Sequence, residues 1–256
     1  MIYLNFNPIA FTIGPVSIGW YGIMVALAVM TLILWTLYEV KRGAKLSYDT
    51  VFNAALVGIP SGIIGARLFH VFDHWQDYSH NLGQIIGGAG LAIYGAVLGA
   101  ALGVWIYSRF CKISFGYLAD MLAPGIILAQ AIGRVGCTLN GCCYGTECDL
   151  PWAIYYTHQS FNQIIGPVHP TQVYEIIYDL IVFFVLLRLR KRLQPDGSLF
   201  LIYLTLYSLW RFGIDFIREG IPLLFGLHEA QIIAIIVLII TITLMALKTR
   251  WRQGKF

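Results

Sequence analysis

SIGWYGIMVALAVMTLILWTLY, residues 17–38, contains no charged residue and no proline. As a helix rising 1.5 Å per residue, a run of this length reaches about 33 Å, enough to cross the ~30 Å hydrocarbon layer of a bilayer. Nothing upstream is charged either, since none of the first 38 residues is Asp, Glu, Lys, Arg or His. A cleavable secretory signal needs a positive n-region, so this run is expected to remain as the first spanning helix.

Further apolar runs of spanning length follow at about 50–72, 88–108, 118–139, 172–190, 198–218 and 229–247. The chain of 256 residues is 58% hydrophobic and only 12% charged, about half the charged fraction of soluble domains. These features predict an all-α polytopic membrane protein with seven transmembrane helices, forming one domain over 1–256. No internal repeat or low-complexity tract stands out. The connection at about 140–171, with Pro151, Trp152, Pro167 and Pro170, reads as a small ordered extracytoplasmic cap.

Orientation follows from Lys and Arg in the connections. Lys41, Arg42 and Lys45 follow the first run, Arg109 and Lys112 the third, Arg188, Arg190, Lys191 and Arg192 the fifth, and Lys248, Arg250, Arg252 and Lys255 the seventh. These alternate ends are expected in the cytoplasm, with the N-terminus outside and the C-terminus inside. Thirteen of the 17 basic residues are thereby used, so the net charge of +4 reports topology and not nucleic-acid binding.

The other four, Arg67, Arg134, Arg211 and Arg218, lie within or at the outward ends of the second, fourth and sixth runs. An unpaired arginine there costs at least ~2.5 kcal/mol, so each needs an anionic partner. Counting depth along each helix brings further polar residues to the same outer level: Tyr21, His70, Tyr94, Asn140, Gln172, Tyr174 and Glu175. In RFGIDFIRE, 211–219, the spacing of Arg211, Asp215 and Arg218 predicts a stack on one helical face. Such a triad could be merely self-neutralising; two arginines against one aspartate also suit an anion site, and a lipid phosphate matches guanidinium forks. Small residues in GIPSGIIGAR and GGAGLAIYGAVLGAALG allow close backbone approach, for helix packing alone or around a lipid-lined cleft.

GRVGCTLNGCCYG, 133–145, ends the fourth run and brings three cysteines beside Arg134, with Cys148 five residues after Cys143. The predicted orientation places Cys137, Cys142, Cys143 and Cys148 outside, where disulfides persist. Their five-residue spacings suit one or two bridges stapling the cap. A soft-metal site fits thiolate chemistry but lacks the usual CxxC pairing, and a catalytic or redox thiol is the third reading. Cys111 is expected to be an idle cytoplasmic thiol.

The ordered motifs WYG (20–22), GARLFHV (65–71), GLAIYGAVLGA (90–100), GRVGCTLNGCCYG, HPTQVYE (169–175) and RFGIDFIRE resemble those of the bacterial prolipoprotein diacylglyceryl transferase family. The resemblance implies a plasma (inner) membrane transferase of lipoprotein biosynthesis, with its active site toward the outer leaflet. Such an enzyme moves the diacylglyceryl group of phosphatidylglycerol to the lipobox cysteine of a prolipoprotein signal peptide, releasing glycerol phosphate. It further implies Arg134, Arg211 and Tyr94 in catalysis, with Tyr21, Arg67, Asn140, His169, Gln172, Glu175, Asp215 and Arg218 around the substrate. No cofactor, metal or nucleic acid is expected.

Several positions depart from the family pattern. Cys137 and Cys142 stand where asparagine and glutamate are usual, Tyr94 where a histidine proposed as the base often stands, and Asp215 where glutamate is usual. Other readings of the same residues are a phospholipid-dependent transferase with a small thiol or lipid acceptor, an anion or lipid transporter, and a thiol-based membrane redox protein. Transporters tend to carry repeats or paired broken helices, which are not evident, and the missing CxxC weakens the redox reading.

Overall fold

The computed structural model describes residues 1–79, 83, 85, 90, 92–158, 165–190, 192–218, 223 and 226–251. Parts of the third expected run (88, 89 and 91), parts of the cap (159–164), and Lys191, Glu219, Arg252 and Lys255 lie outside them. The helices are α1 (Trp20–Lys41), α2 (Tyr48–Asp73), the single turn α3 (Trp75–Tyr78), α4 (Ile93–Phe110), α5 (Phe115–Asn140), α6 (Thr171–Leu189), α7 (Ser198–Ile214) and α8 (Glu229–Lys248). A 3-10 turn, Asp215–Ile217, extends α7.

Among the described residues, six helices are long and apolar enough to cross a membrane: α1, α2, α4, α5, α7 with its 3-10 turn, and α8. The fifth expected run, α6, carries Glu175, Asp179 and Arg188 in its 19 residues. Large apolar side chains stay exposed along the apolar helices, Leu34, Leu56, Leu98 and Leu247 among them, as a lipid-facing surface requires. The chain forms two compact units, residues 1–35 with 119–256, and residues 36–118.

In the first unit, α5, α6 and α7 bury Ala123, Ile127, Val182, Leu186, Leu199 and Tyr203 against one another. Asp120 of α5 caps the start of α7, its two oxygens accepting from the Gly197 and Phe200 N–H groups at 2.8 Å each. An anion there meets both orphan donors and the positive end of the helix dipole. Trp35 Nε1 donates to Met121 O at 3.0 Å and ties α1 to α5. Nearer the other end of α5, a Cβ on Gly136 would lie 2.8 Å from Met24 Cβ; glycine permits this approach, which sets Tyr21 beside α5. Thr205 and Thr241 join α7 to α8 through their hydroxyls at 2.9 Å.

The helical expectation holds, but three small sheets accompany the helices among the described residues. Strand β1 (Ile2–Leu4) pairs in parallel with β4 (Ile154–Tyr156), which pairs antiparallel with β5 (Ile165–Val168), so the cap is built on a sheet whose first strand comes from the N-terminus. Ile154, Tyr156 and Val168 form its buried centre, packed by Leu4 and Tyr144. Strands β2 (Ile9–Ile13) and β3 (Val16–Gly19) form a hairpin, which delays the start of α1 to Trp20. Strands β6 (Leu193–Gln194) and β7 (Arg250–Trp251) pair antiparallel.

The second unit is built on α2 against α4. A Cβ on Gly65 would fall on Gly95 O and within 2.9 Å of Gly99 Cα, and a Cβ on Gly99 would fall on Ser61 O. The small residues therefore serve backbone-to-backbone packing of these two helices. Arg67 donates from Nε to Ile85 O at 2.7 Å and from Nη1 to Gly90 O at 3.0 Å, with its guanidinium 5.2 Å from the centre of the Tyr78 ring. Tyr94 stands in the first turn of α4.

Candidate active site

Arg134 and Gln130 lie one turn apart on α5 and face Glu175 and Asp179, one turn apart on α6. Arg134 Nη2 lies 2.8 Å from Glu175 Oε1. Gln130 Nε2 donates to Glu175 Oε1 and to Asp179 Oδ1, each at 3.3 Å. Glu175 is 1% exposed, so its charge depends on these partners and on Arg218, whose Nη1 lies 3.8 Å from Oε2. A buried carboxylate between two guanidiniums fixes both of them in position.

Arg218 is not part of a one-faced helical triad. Helix α7 ends at Ile214, the 3-10 turn changes the pitch, and Arg218 has extended backbone with φ −92° and ψ 144°. It therefore reaches Glu175. The Arg211 and Asp215 pair does form, Nη2 to Oδ1 at 3.0 Å. The second oxygen of Asp215 accepts from His228 Nδ1 at 3.0 Å, and His228 stands at the start of α8, its backbone N donating to Gln231 Oε1 at 2.9 Å. Arg211 Nη1 is buried and, among the described residues, has no hydrogen-bond partner. A buried guanidinium N–H without an acceptor is costly and marks where an anion would be satisfied.

Backbone ladders hold the loops around these arginines. Gly145 N donates to His169 O at 2.9 Å, His169 N to Thr146 O at 3.0 Å, and Thr146 N to Ile217 O at 2.9 Å. The cysteine loop, the HPTQ segment and the end of RFGIDFIRE are thus stitched together. A side chain on Gly145 would collide with His169 and Thr171, at 2.7 and 2.8 Å. Thr171 Oγ1 donates to Cys143 O and Gln172 Nε2 to Cys142 O, both at 2.7 Å. Gln172 Nε2 also lies 3.2 Å from the Tyr156 hydroxyl. Burial pushes the pKa of that phenol above its ordinary range, which keeps it neutral. His169 is 3.5 Å from the Tyr174 hydroxyl, which accepts from Trp152 Nε1 at 2.7 Å.

The cysteines take an arrangement the sequence reading did not anticipate. All five cysteines are free thiols in this structure. Helix α5 closes with Gly141 at φ 61°, Gly141 N donating to Thr138 O at 3.3 Å and Cys142 N to Cys137 O at 3.1 Å. These are the two bonds of a Schellman motif, which folds the second residue past the helix cap onto the last turn. The five-residue spacing thereby sets Cys142 over Cys137, and Cys143, at φ 65°, turns its thiol to the same place. The three Sγ atoms lie within 4.8 Å of one another, while Cys148 pairs its backbone N with Pro167 O at 2.9 Å. Arg134 Nη1 is 3.9 Å from Cys137 Sγ, and Asn140 reaches the Cys142 thiol. Hydrogen bonds from the Cys137 and Cys142 thiols, then the charges of Arg218 and Arg134, hold the Cys143 thiol below the ordinary thiol range.

Of the expected site residues, Arg134, Glu175 and Arg218 meet directly, Arg211 meets Asp215, and Gln172, His169 and Asn140 meet the cysteine loop. Arg67 and Tyr94 belong to the second unit. Gln130 and His228 were not anticipated. Gln130 was visible as a polar residue four before Arg134 in an otherwise apolar run, and His228 as the first residue of HEAQ before the last helix.

The chain is thus a helical membrane protein in which three guanidiniums are held on two buried carboxylates, with one guanidinium N–H left without an acceptor among the described residues. The family model described as prolipoprotein diacylglyceryl transferase matches residues 8–247, and the chain belongs to that family. It is 47% identical over 251 residues to a phosphatidylglycerol–prolipoprotein diacylglyceryl transferase of Dehalococcoides mccartyi, covering 98% of this chain and 96% of the relative. Enzymes with the same name from Clostridioides difficile and Listeria innocua are 39% and 36% identical, covering 89% and 93% of this chain and 90% and 88% of the relatives.

Proposed function

We propose that the chain transfers the diacylglyceryl group of phosphatidylglycerol to the cysteine thiol of a prolipoprotein, forming a thioether and releasing glycerol phosphate. The observation that carries this reading is the buried, unpartnered Nη1 of Arg211 beside the Arg134 and Arg218 pairings on Glu175. Three guanidiniums share two carboxylates in these pairs, and a phosphodiester would supply the missing acceptor. The names carried by the relatives at 36–47% identity agree with it.

In this reading Arg134 and Arg211 grip the phosphate and stabilise the charge that grows on it as the glyceryl carbon–oxygen bond breaks. Glu175 and Asp215 hold those guanidiniums at fixed angles. Tyr21 and Asn140, on the adjoining ends of α1 and α5, line the headgroup side. Gln172, Thr171 and His169 brace the loop 141–145 that the acceptor peptide, with its lipobox cysteine, approaches.

We further propose seven spans in one membrane domain, with α6 the seventh. Its 19 residues reach about 28 Å, and its acids are buried against Gln130, Arg134 and Arg218 and so avoid lipid. The thirteen basic residues at alternating ends support this reading, with the N-terminus outside, the C-terminus inside and the site toward the outer leaflet of the plasma membrane as part of the proposal.

Full-length protein in phosphatidylglycerol vesicles should convert a lipobox peptide to a diacylglyceryl thioether, seen by mass spectrometry, with one glycerol phosphate per product. A Cys→Ser peptide should give none. Absence of both products would reject the reading.

A further inference from the structure

The donor reading leaves Cys137, Cys142 and Cys143 without a task. Near the donor arginines, Glu175 and Asp215 are ion-paired and His228 is held by Asp215. The three thiols are placed together by two independent backbone devices, the Schellman turn at Gly141 and the left-handed Cys143. Their Sγ atoms are at most 4.8 Å apart. Thiolates bound to zinc at about 2.3 Å in a tetrahedron lie about 3.8 Å from one another, so rotamer adjustments of an ångström or less would close the set on an ion.

The set is also graded in exposure, with Cys137 buried, Cys142 half-buried and Cys143 exposed. Three protein ligands closed on one side and open on the other match the pattern of a zinc site that keeps its fourth position for water or substrate. Three thiolates and a divalent ion carry one net negative charge, and Arg134, 3.9 Å from Cys137 Sγ, faces it. Gln172 and Thr171 hold the Cys142 and Cys143 carbonyls, and such outer contacts fix ligand orientation.

We propose that Cys137, Cys142 and Cys143 form a binding site for a thiophilic divalent cation of the zinc class, whose fourth position takes the acceptor thiol. The metal half stands on the cysteine geometry; the acceptor half rests on the transfer reaction proposed above. A thiol that coordinates zinc is deprotonated outright. On binding, the acceptor S–H therefore gives its proton to water, and the bound sulfur keeps its electron pair. That pair forms the carbon–sulfur bond at the glyceryl carbon while the carbon–oxygen bond to phosphate breaks. The leaving electron pair departs with glycerol phosphate, whose second negative charge balances the released proton. The neutral thioether is a weak ligand and yields its place to water.

The test begins with full-length protein purified in detergent from zinc-supplemented cells without chelator. About one zinc per chain is expected by elemental analysis. Cys137→Ser, Cys142→Ser and Cys143→Ser should lose it, and Cys148→Ser and Cys111→Ser should keep it. Adding Co2+ to chelator-stripped wild-type protein should produce a thiolate-to-cobalt charge-transfer band, a readout that needs no variant to fold. Stripping should abolish transfer to the lipobox peptide, and Zn2+ should restore it.

Neither zinc nor a cobalt band, with active protein that still depends on Arg211, overturns the metal site and leaves the donor reading standing. A Cys137–Cys142 disulfide in metal-free protein overturns it as well. Bound zinc whose removal leaves transfer unchanged overturns the acceptor role. Bound zinc in protein that never transfers from phosphatidylglycerol overturns the transfer reading and the acceptor half with it, while supporting the metal half.

Discussion

Glu175 Oε1 lies 2.8 Å from Arg134 Nη2, and this pair joins α6 to α5 inside the first unit. Removing one partner of a buried ion pair leaves the other charge uncompensated, at a cost of about 3–5 kcal/mol. Glu175→Ala should therefore lower the melting temperature in detergent sharply, and Glu175→Gln, which can still accept from Arg134, should lower it less. Equal melting of Glu175→Ala and wild type would show that the pair does not support the fold.

Asp120 acts at the opposite end of α5, where it caps α7. Asp120→Asn retains one acceptor but loses the charge at the helix N-terminus, and Asp120→Ala loses both. Losses of about 1 kcal/mol are expected for the alanine variant, measured as folded yield and melting temperature. Transfer by the surviving protein should be unchanged, because the hydrogen bonds of Asp120 are to Gly197 and Phe200 at the start of α7.

Gly65 and Gly213 provide a contrast in packing. A Cβ on Gly65 meets backbone atoms of α4, whereas one on Gly213 meets nothing within 4 Å. Gly65→Ala should cost about 1–3 kcal/mol through overpacking and lower the yield; Gly213→Ala should not. Equal yields would contradict the close approach of α2 and α4.

Much of this was legible in the sequence, for physical reasons that differ by element. The helices were, because a run such as 229–247 has few alternatives once its polar backbone must bond to itself in lipid. The pairing of Arg134 and Arg211 with acidic partners was, because an uncompensated charge in an apolar run is costly. Strand Ile2–Leu4 was not: three residues carry no period, and its partner lies some 150 positions away. The RFGIDFIRE face was misread because the helix ends at Ile214 before the i,i+3 relation of Asp215 and Arg218 can hold. The three-thiol cluster was not legible, because spacing alone does not reveal the Schellman turn at Gly141 that folds Cys142 over Cys137.

Cys148 and Cys111 test the topology. A membrane-impermeant maleimide applied to intact cells should label Cys148, which lies in the cap outside the three-thiol cluster, and should leave Cys111 unlabelled until the membrane is opened. Labelling of Cys111 in intact cells, with Cys148 protected, would reverse the orientation.

Transfer kinetics of Arg134→Ala and Arg211→Ala test the donor site most directly, with phosphatidylglycerol vesicles and a lipobox peptide as substrates. Loss of a charge-stabilising donor should lower turnover by on the order of 10²-fold or more, and Arg211→Lys should recover only part of it, because an ammonium lacks the guanidinium fork. Both alanine variants are expected to release almost no glycerol phosphate, and Arg211→Ala to bind the peptide normally. Near-normal turnover in both, per folded protein, would contradict a phosphate held by Arg134 and Arg211.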